Sequence, residues 1–311
     1  METARPSPIL VWIQGVRAPF LSASVVPVLV GSAAGYYVTG RFYWGYFLIA
    51  LLGMVALHAA ANMINDYFDF KSGCDPNNRA RTIFNGGSNV LVTGLLSLRT
   101  ARIGIAVAYT IGIACGLFLT VALGAQGWVI LVLGVVGIAI SYAYTAPRLM
   151  LAGRGLGELG IALCFGLLSV GGAAFVQARA FSWTSLLASL PVAGLITAIL
   201  WINQFPDVPA DHAVGKDNLV VRMGLARARW GYHALIALTY LAIPVGIAAG
   251  VLPWWSLLGL GGLPFAAQAA RILHTRYQEP RALLPAQGLT VQAHIVTGVL
   301  LALGVMLGRL L

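Results

Sequence analysis

The chain reads as a succession of long apolar runs separated by short polar or glycine-containing breaks. The runs cover about 9–38, 43–64, 103–123, 127–147, 157–177, 185–205, 230–250, 253–273 and 289–310. Each approaches or exceeds the roughly 20 apolar residues that carry a helix across a bilayer. Most are bounded by glycine, proline or charge. The pattern predicts nine transmembrane helices, spans 1 to 9, in an all-α polytopic membrane protein. A polar lead over residues 1–8 precedes them, and residues 1–311 read as a single transmembrane domain.

Composition agrees and excludes a large soluble domain. The chain is 59% hydrophobic and 9% charged, against about 25% charged in soluble domains. Mean hydropathy is +0.86. The three cysteines, Cys74, Cys115 and Cys164, have neither metal-type nor disulfide-framework spacing, and Cys74 is read as a bystander. The start, METARPSPILVWIQGVRAPF, carries Arg5 and Arg17 and no small-residue cleavage site, so it is not read as a signal peptide.

Charge sets the topology. With the N-terminus in the cytoplasm, the cytoplasmic segments are 1–17, 65–102, 148–156, 203–229 and 271–288. They hold 16 of the 19 basic residues, and only Arg41, Arg179 and Arg309 fall outside. This is the positive-inside distribution. The net charge of +10 is therefore assigned to topology and to an anionic ligand or leaflet rather than to nucleic acid. Two long polar loops, after spans 2 and 6, put the working face on the cytoplasmic side, and the chain is read as an integral protein of the cell (inner) membrane.

All six aspartates stand on that face, in NMINDYFDFKSGCD (62–75) and NQFPDVPADHAVGKD (203–217). Asn62 and Asp66, Asn65 and Asp69, and Asn203, Asp207 and Asp211 are spaced by four, so each set shares one side of a helix. Pro206 and Pro209 predict that the backbone unwinds in the second stretch. Carboxylates close to a membrane need a partner or a ligand. Hard oxygen donors from Asp and Asn suit Mg²⁺, which keeps several waters and grips substrate phosphates. Two facing clusters could hold a diphosphate between metal ions. Lys71 and Lys216, the two lysines of the chain, follow one motif each and suit phosphate. Arg79 and Arg81 are candidates for a bidentate clamp. Asx-capped helix ends, or a cation site in a channel or transporter, are the rival readings of the same residues.

The motifs N62-x-x-N65-D66-Y67-x-D69 and N203-x-x-x-D207-x-x-x-D211 resemble those of the UbiA-type intramembrane prenyltransferases. FNGGSNVLVTGLLS (84–97), YTAP (144–147), GRGLGELGIALCFG (153–166) and DNLVVRMG (217–224) extend the resemblance in order. It is strongest toward the 1,4-dihydroxy-2-naphthoate polyprenyltransferases. The resemblance implies nine helices around a central cavity and Mg²⁺-dependent transfer of a prenyl chain from an allylic polyprenyl diphosphate to an aromatic acceptor, in menaquinone biosynthesis. A different phenolic or lipid acceptor is the alternative within the family. Asn65, Asp66, Asp69, Asp207 and Asp211 are the expected catalytic core, with Asn62 and Asn203 beside them as metal ligands. By family position, Arg17, Tyr144, Thr145 and Arg154 join the lysines as diphosphate-binding candidates.

Other polar residues carry less. Arg154 and Glu158, four apart, can be explained by an ion pair alone. Asp75 and Asp217 are left without a role, and His212 adjoins Asp211. His58, about one turn before Asn62, is an intramembrane ionisable residue and hence a candidate, although a hydrogen-bonded neutral ring is the simpler reading. His233, His274 and His294 have no ligand spacing.

Overall fold

The computed structural model describes residues 6–311, so Arg5 lies outside the described residues. Among these residues helix is the regular element and no strand occurs. Nine helical stretches are long and apolar enough to cross a membrane, as the apolar runs predict.

The first run is not one helix. Ser7 caps α1 (Pro8–Gly15), and the chain then breaks at Arg17, which adopts a left-handed φ of 53°. A 3-10 turn at Ala18–Leu21 leads into α2 (Ser22–Thr39). Pro19 explains the break, because its ring fits a first helical turn and not an interior. Span 1 thus begins at Ala18, and Arg17 sits at its mouth.

The second span is longer than its apolar run. Helix α3 (Trp44–Ser72) passes residue 64 by two turns and stops at Gly73, whose φ of 83° suits a glycine cap. The first Asp-rich motif is therefore helical. After α4 (Cys74–Asn77) and an irregular loop come α5 (Leu98–Ala122) and α6 (Trp128–Thr145). Helix α7 (Gly157–Ile161) continues through a π-helical stretch, Ala162–Leu168, into α8 (Ser169–Ala178).

Helix α9 (Trp183–Ala213) corrects a prediction. It runs unbroken through Pro191, Pro206 and Pro209. Each proline removes one backbone donor, but packing outweighs that cost. Ile202 and Phe205 are buried against Tyr232 and Leu273 in one apolar cluster. The chain ends with α10 (Leu219–Met223), α11 (Leu225–Ala248), a 3-10 stretch at Trp254–Gly262, α12 (Leu263–Arg276) and α13 (Leu284–Leu310).

Helix α9 is the most enclosed span, and α5 and α6 are the least. Small residues allow the close contacts. A Cβ added at Gly31 of α2 would lie 2.2 Å from the Val170 carbonyl oxygen of α8. Gly31→Ala is expected to destabilise the protein by about 1–3 kcal/mol through overpacking. Thermal melting in detergent would show it, and an unchanged melt would contradict this contact.

Candidate active site

The C-terminal halves of α3 and α9 position the site. Met54, His58, Asn62, Asn65 and Asp69 form one stripe along α3, and Asn203, Asp207 and Asp211 form another along α9. Both stripes line a cavity of about 540 Å³. Its head is polar and its body is apolar. Phe20 and Phe84 meet edge to face below the head, with centroids 6.0 Å apart, and both line the cavity. Further along, α5 and α6 contribute Gly116, Gly134 and Gly137 to the wall. A Cβ at any of these three would meet nothing within 4 Å, so they border open space.

At the head the two motifs are joined by Lys216. Its Nζ lies 3.0 Å from Oδ2 of Asp69 and 3.6 Å from Oδ1 of Asp211. Asp69 also accepts from Asn65 Nδ2 at 3.0 Å. Asp211 accepts from Asn218 Nδ2 at 2.9 Å and from the Cys74 thiol at 3.3 Å. Asp207 is held from the first loop, by the side-chain amides of Asn78 and Asn85 at 2.6 Å each. Asp75 is buried against Gly87, where a Cβ would lie 2.3 Å from its carboxylate; with a φ of 77°, that position favours glycine twice over.

The electrostatics follow from burial. Burial works against the Lys216 ammonium, but Asp211 and Asp69 hold its pKa well above the ordinary value. Arg17 is likewise penalised by burial and held above its ordinary value, chiefly by Asp66. Burial, then the neighbouring Asp69, raises Asp75 to about 7. Burial also pushes the Cys74 thiol up, so it is a protonated donor to Asp211.

The structure sorts the sequence candidates. Arg17, Asn62, Asn65, Asp69 and Tyr144 line the cavity, as do Asn203, Asp207, Asp211 and Lys216. Asp66 does not. It pairs with Arg17 and accepts from the Ser88 amide at 3.0 Å, anchoring the N-terminal entry and the 84–97 loop to α3. Lys71 is exposed and lies over the Tyr67 ring, 5.5 Å from its centroid, because it falls on the opposite side of α3. Arg79 is exposed, and Arg81 donates to Asn89. Thr145 is buried outside the cavity lining. Arg154 is exposed and donates to the Arg148 carbonyl at 2.9 Å, so no ion pair with Glu158 forms. Glu158 instead accepts from Gln204 Nε2 at 2.9 Å and the Leu219 amide at 3.1 Å. His212 pairs with Asp217 on the surface and leaves Asp211 alone.

Sequence reasoning missed Asn78, Asn85, Asn218 and Gln204. Asn85 and Asn218 carried a signal, from their places in the quoted motifs 84–97 and 217–224; Asn78 and Gln204 carried none. Cys74, read as a bystander, is part of the head.

Can these residues hold Mg²⁺? Among the described residues no three of His, Cys, Asp and Glu converge on one point. Mg²⁺ rarely needs such a cage, since one or two carboxylates, waters and substrate phosphates complete its shell. The donors at the head are hard oxygens on facing helices. The buried Oδ1 of Asn203, which lines the cavity, has no hydrogen-bond partner. The residues fit the ion.

A family model described as the UbiA prenyltransferase family matches residues 24–290. The chain belongs to the UbiA prenyltransferase family. As a UbiA-family chain it is similar to the 2-carboxy-1,4-naphthoquinone phytyltransferase of Synechocystis sp., 31% identical over 96% of this chain and 94% of the relative. It is also similar to the 1,4-dihydroxy-2-naphthoate octaprenyltransferase of Bacillus subtilis, 29% identical over 96% and 92%. Among solved structures, a UbiA homologue from Archaeoglobus fulgidus bound to GPP and Mg²⁺ aligns with a TM-score of 0.66 at 18% identity, over 94% of this chain and 99% of that one. The apo UbiA homologue from Aeropyrum pernix gives 0.68 at 19%, over 91% and 97%. The UbiA fold is thus shared along nearly the whole chain. The comparisons give the transporter alternative no support.

Proposed function

We propose that this membrane prenyltransferase moves a prenyl chain from an allylic diphosphate to 1,4-dihydroxy-2-naphthoate, with Mg²⁺ as its cofactor. The observation that carries this reading is one cavity with two ends: a head of facing Asp and Asn side chains, and an apolar body. The two relatives named above act, by their names, on the same carboxylated naphthalene skeleton. The GPP and Mg²⁺ in the Archaeoglobus homologue support the donor and the ion.

Asn65, Asp69, Asn203, Asp207 and Asp211 would hold Mg²⁺, which supplies neutralising charge to the departing diphosphate. Lys216 and Arg17 add fixed positive charge beside it. Tyr144 offers a hydroxyl at the same rim. When the C1–O bond breaks, its electron pair leaves with the diphosphate and C1 becomes an allylic cation. Phe20, Phe84 and the aliphatic wall keep water from it. The ring carbon that bears the carboxylate attacks C1. Carbon dioxide then leaves, and its bond pair restores the aromatic ring.

The test is a panel. Purified protein is given geranyl and longer diphosphates, Mg²⁺ and several phenolic or naphthoic acceptors, with products read by mass spectrometry. A prenylated, decarboxylated naphthol is the expected product, and EDTA is expected to abolish it. Product only from another acceptor would overturn the acceptor; no product from any would overturn the reading. Placement in the inner membrane is part of this reading, and an orientation with the N-terminus and the head in the cytoplasm is supported by the basic residues, 16 of 19 of them on that side.

A further inference from the structure

His58 lies on the α3 stripe four residues before Asn62 and takes no part in the polar head. It is 7% exposed. Its Nδ1 stands 2.8 Å from the hydroxyl of Ser24 in α2. Ser24 is fully buried, and the imidazole is the hydroxyl's one partner among the described residues. Were Nδ1 the donor, the serine hydrogen would be buried without an acceptor, at a cost. With Ser24 donating, both groups are satisfied. The hydrogen-bond inventory therefore puts the ring proton on Nε2.

That nitrogen is free for a ligand. Nε2 has no protein partner among the described residues, yet the ring lines the cavity rather than being sealed in the core. His294 is the contrast: both of its nitrogens are buried without partners, away from this cavity. The His58 ring plane is set by Phe165, which meets it edge to face at 4.6 Å. Three other polar side chains of the cavity body have partners within the protein. Tyr109 and Ser141 bond each other at 3.2 Å, and Ser169 donates to the Cys164 carbonyl.

Depth decides what His58 can reach. At 1.5 Å per residue, it sits about 6 Å below Asn62 and about 10 Å below Asn65 along the helix. A diphosphate at the head places C1 just beneath it. The attacking ring must touch C1, so the far side of a bicyclic acceptor falls at the level of His58. Aliphatic side chains cannot choose which ring carbon faces the cation, whereas a fixed donor at this level can.

We infer that His58 binds the aromatic acceptor: its Nε2–H donates a hydrogen bond to an acceptor oxygen, hydroxyl or carboxylate, and fixes the ring carbon presented to C1. Ser24 is a positioning residue that holds the required tautomer. This rests on the prenyl-transfer reading above.

The experiment is steady-state kinetics of the full-length protein in nanodiscs, varying geranyl diphosphate and 1,4-dihydroxy-2-naphthoate separately. His58→Phe keeps the contact with Phe165 and removes the donor; His58→Gln keeps a donor. The acceptor KM is expected to rise about tenfold in His58→Phe, the effect of one lost hydrogen bond in an apolar site, and less in His58→Gln. The KM for geranyl diphosphate stays within twofold in both. Ser24→Ala raises the acceptor KM in the same direction. An acceptor KM within twofold of wild type in His58→Phe, or an equal rise in both KM values, overturns the inference. If His58→Phe does not fold, His58→Leu, which also lacks the donor, is read by the same criterion. Failure of the wild type to prenylate the naphthoate would instead sink the prenyl-transfer reading, so the two failures are distinct.

Discussion

Asp207→Ala is expected to lower kcat/KM for the prenyl diphosphate by about 10²–10³-fold, the usual loss when one preorganised electrostatic group is removed. The carboxylate has two tasks. It faces the cavity, where we propose it as a metal ligand, and it ties down the first loop through Asn78 and Asn85. The tasks can be separated. Asn78→Ala loosens the loop and leaves the charge, so a fall of only about tenfold is expected there, in line with one hydrogen bond. Raising Mg²⁺ should recover part of the Asn78→Ala loss and little of the Asp207→Ala loss. An Asp207→Ala protein that retains a tenth of wild-type activity would remove Asp207 from the site.

Lys216→Met should have the largest effect on stability. The ammonium stands between Asp69 and Asp211, and all three side chains are at most 15% exposed. Removing it leaves two neighbouring carboxylates with no cation, which costs about 3–5 kcal/mol when a buried pair is broken. The melting temperature in EDTA should fall sharply. Added Mg²⁺ should restore much of it, because the ion supplies the missing charge at the same carboxylates. Equal melting of variant and wild type in EDTA would show that the pairing contributes nothing. Activity is a separate readout: lost stability that Mg²⁺ restores, with turnover still low, assigns Lys216 to the diphosphate as well.

Much of this was legible in the chain. Nine apolar runs give nine spans, because a bilayer imposes length on each one. The facing stripes of α3 and α9 follow from the four-residue spacing of Asn and Asp. What was not legible is where the third dimension overrides local rules. The end of α3 was placed too early, because its last two turns point polar groups into a cavity, and hydropathy reads that as a loop. The prolines of α9 argue locally for unwinding, and the packing of Ile202 and Phe205 against α11 and α12 overrides them. Lys71 and Lys216 looked equivalent in sequence. Only the helix phase of α3 and the return of the 214–218 turn separate the solvent-facing lysine from the bridging one. Asn78 and Glu158 take partners far along the chain, so spacing could not pair them.

The glycines of α5 and α6 that border open space bear on the product rather than on the rate. A wall measures a chain only where a side chain stops it. At Gly116, Gly134 and Gly137 nothing projects, so the donor's tail can extend or bend there without a clash. Donors of more than one tail length are then expected to fit along this side of the cavity, with the stricter demands made at the head.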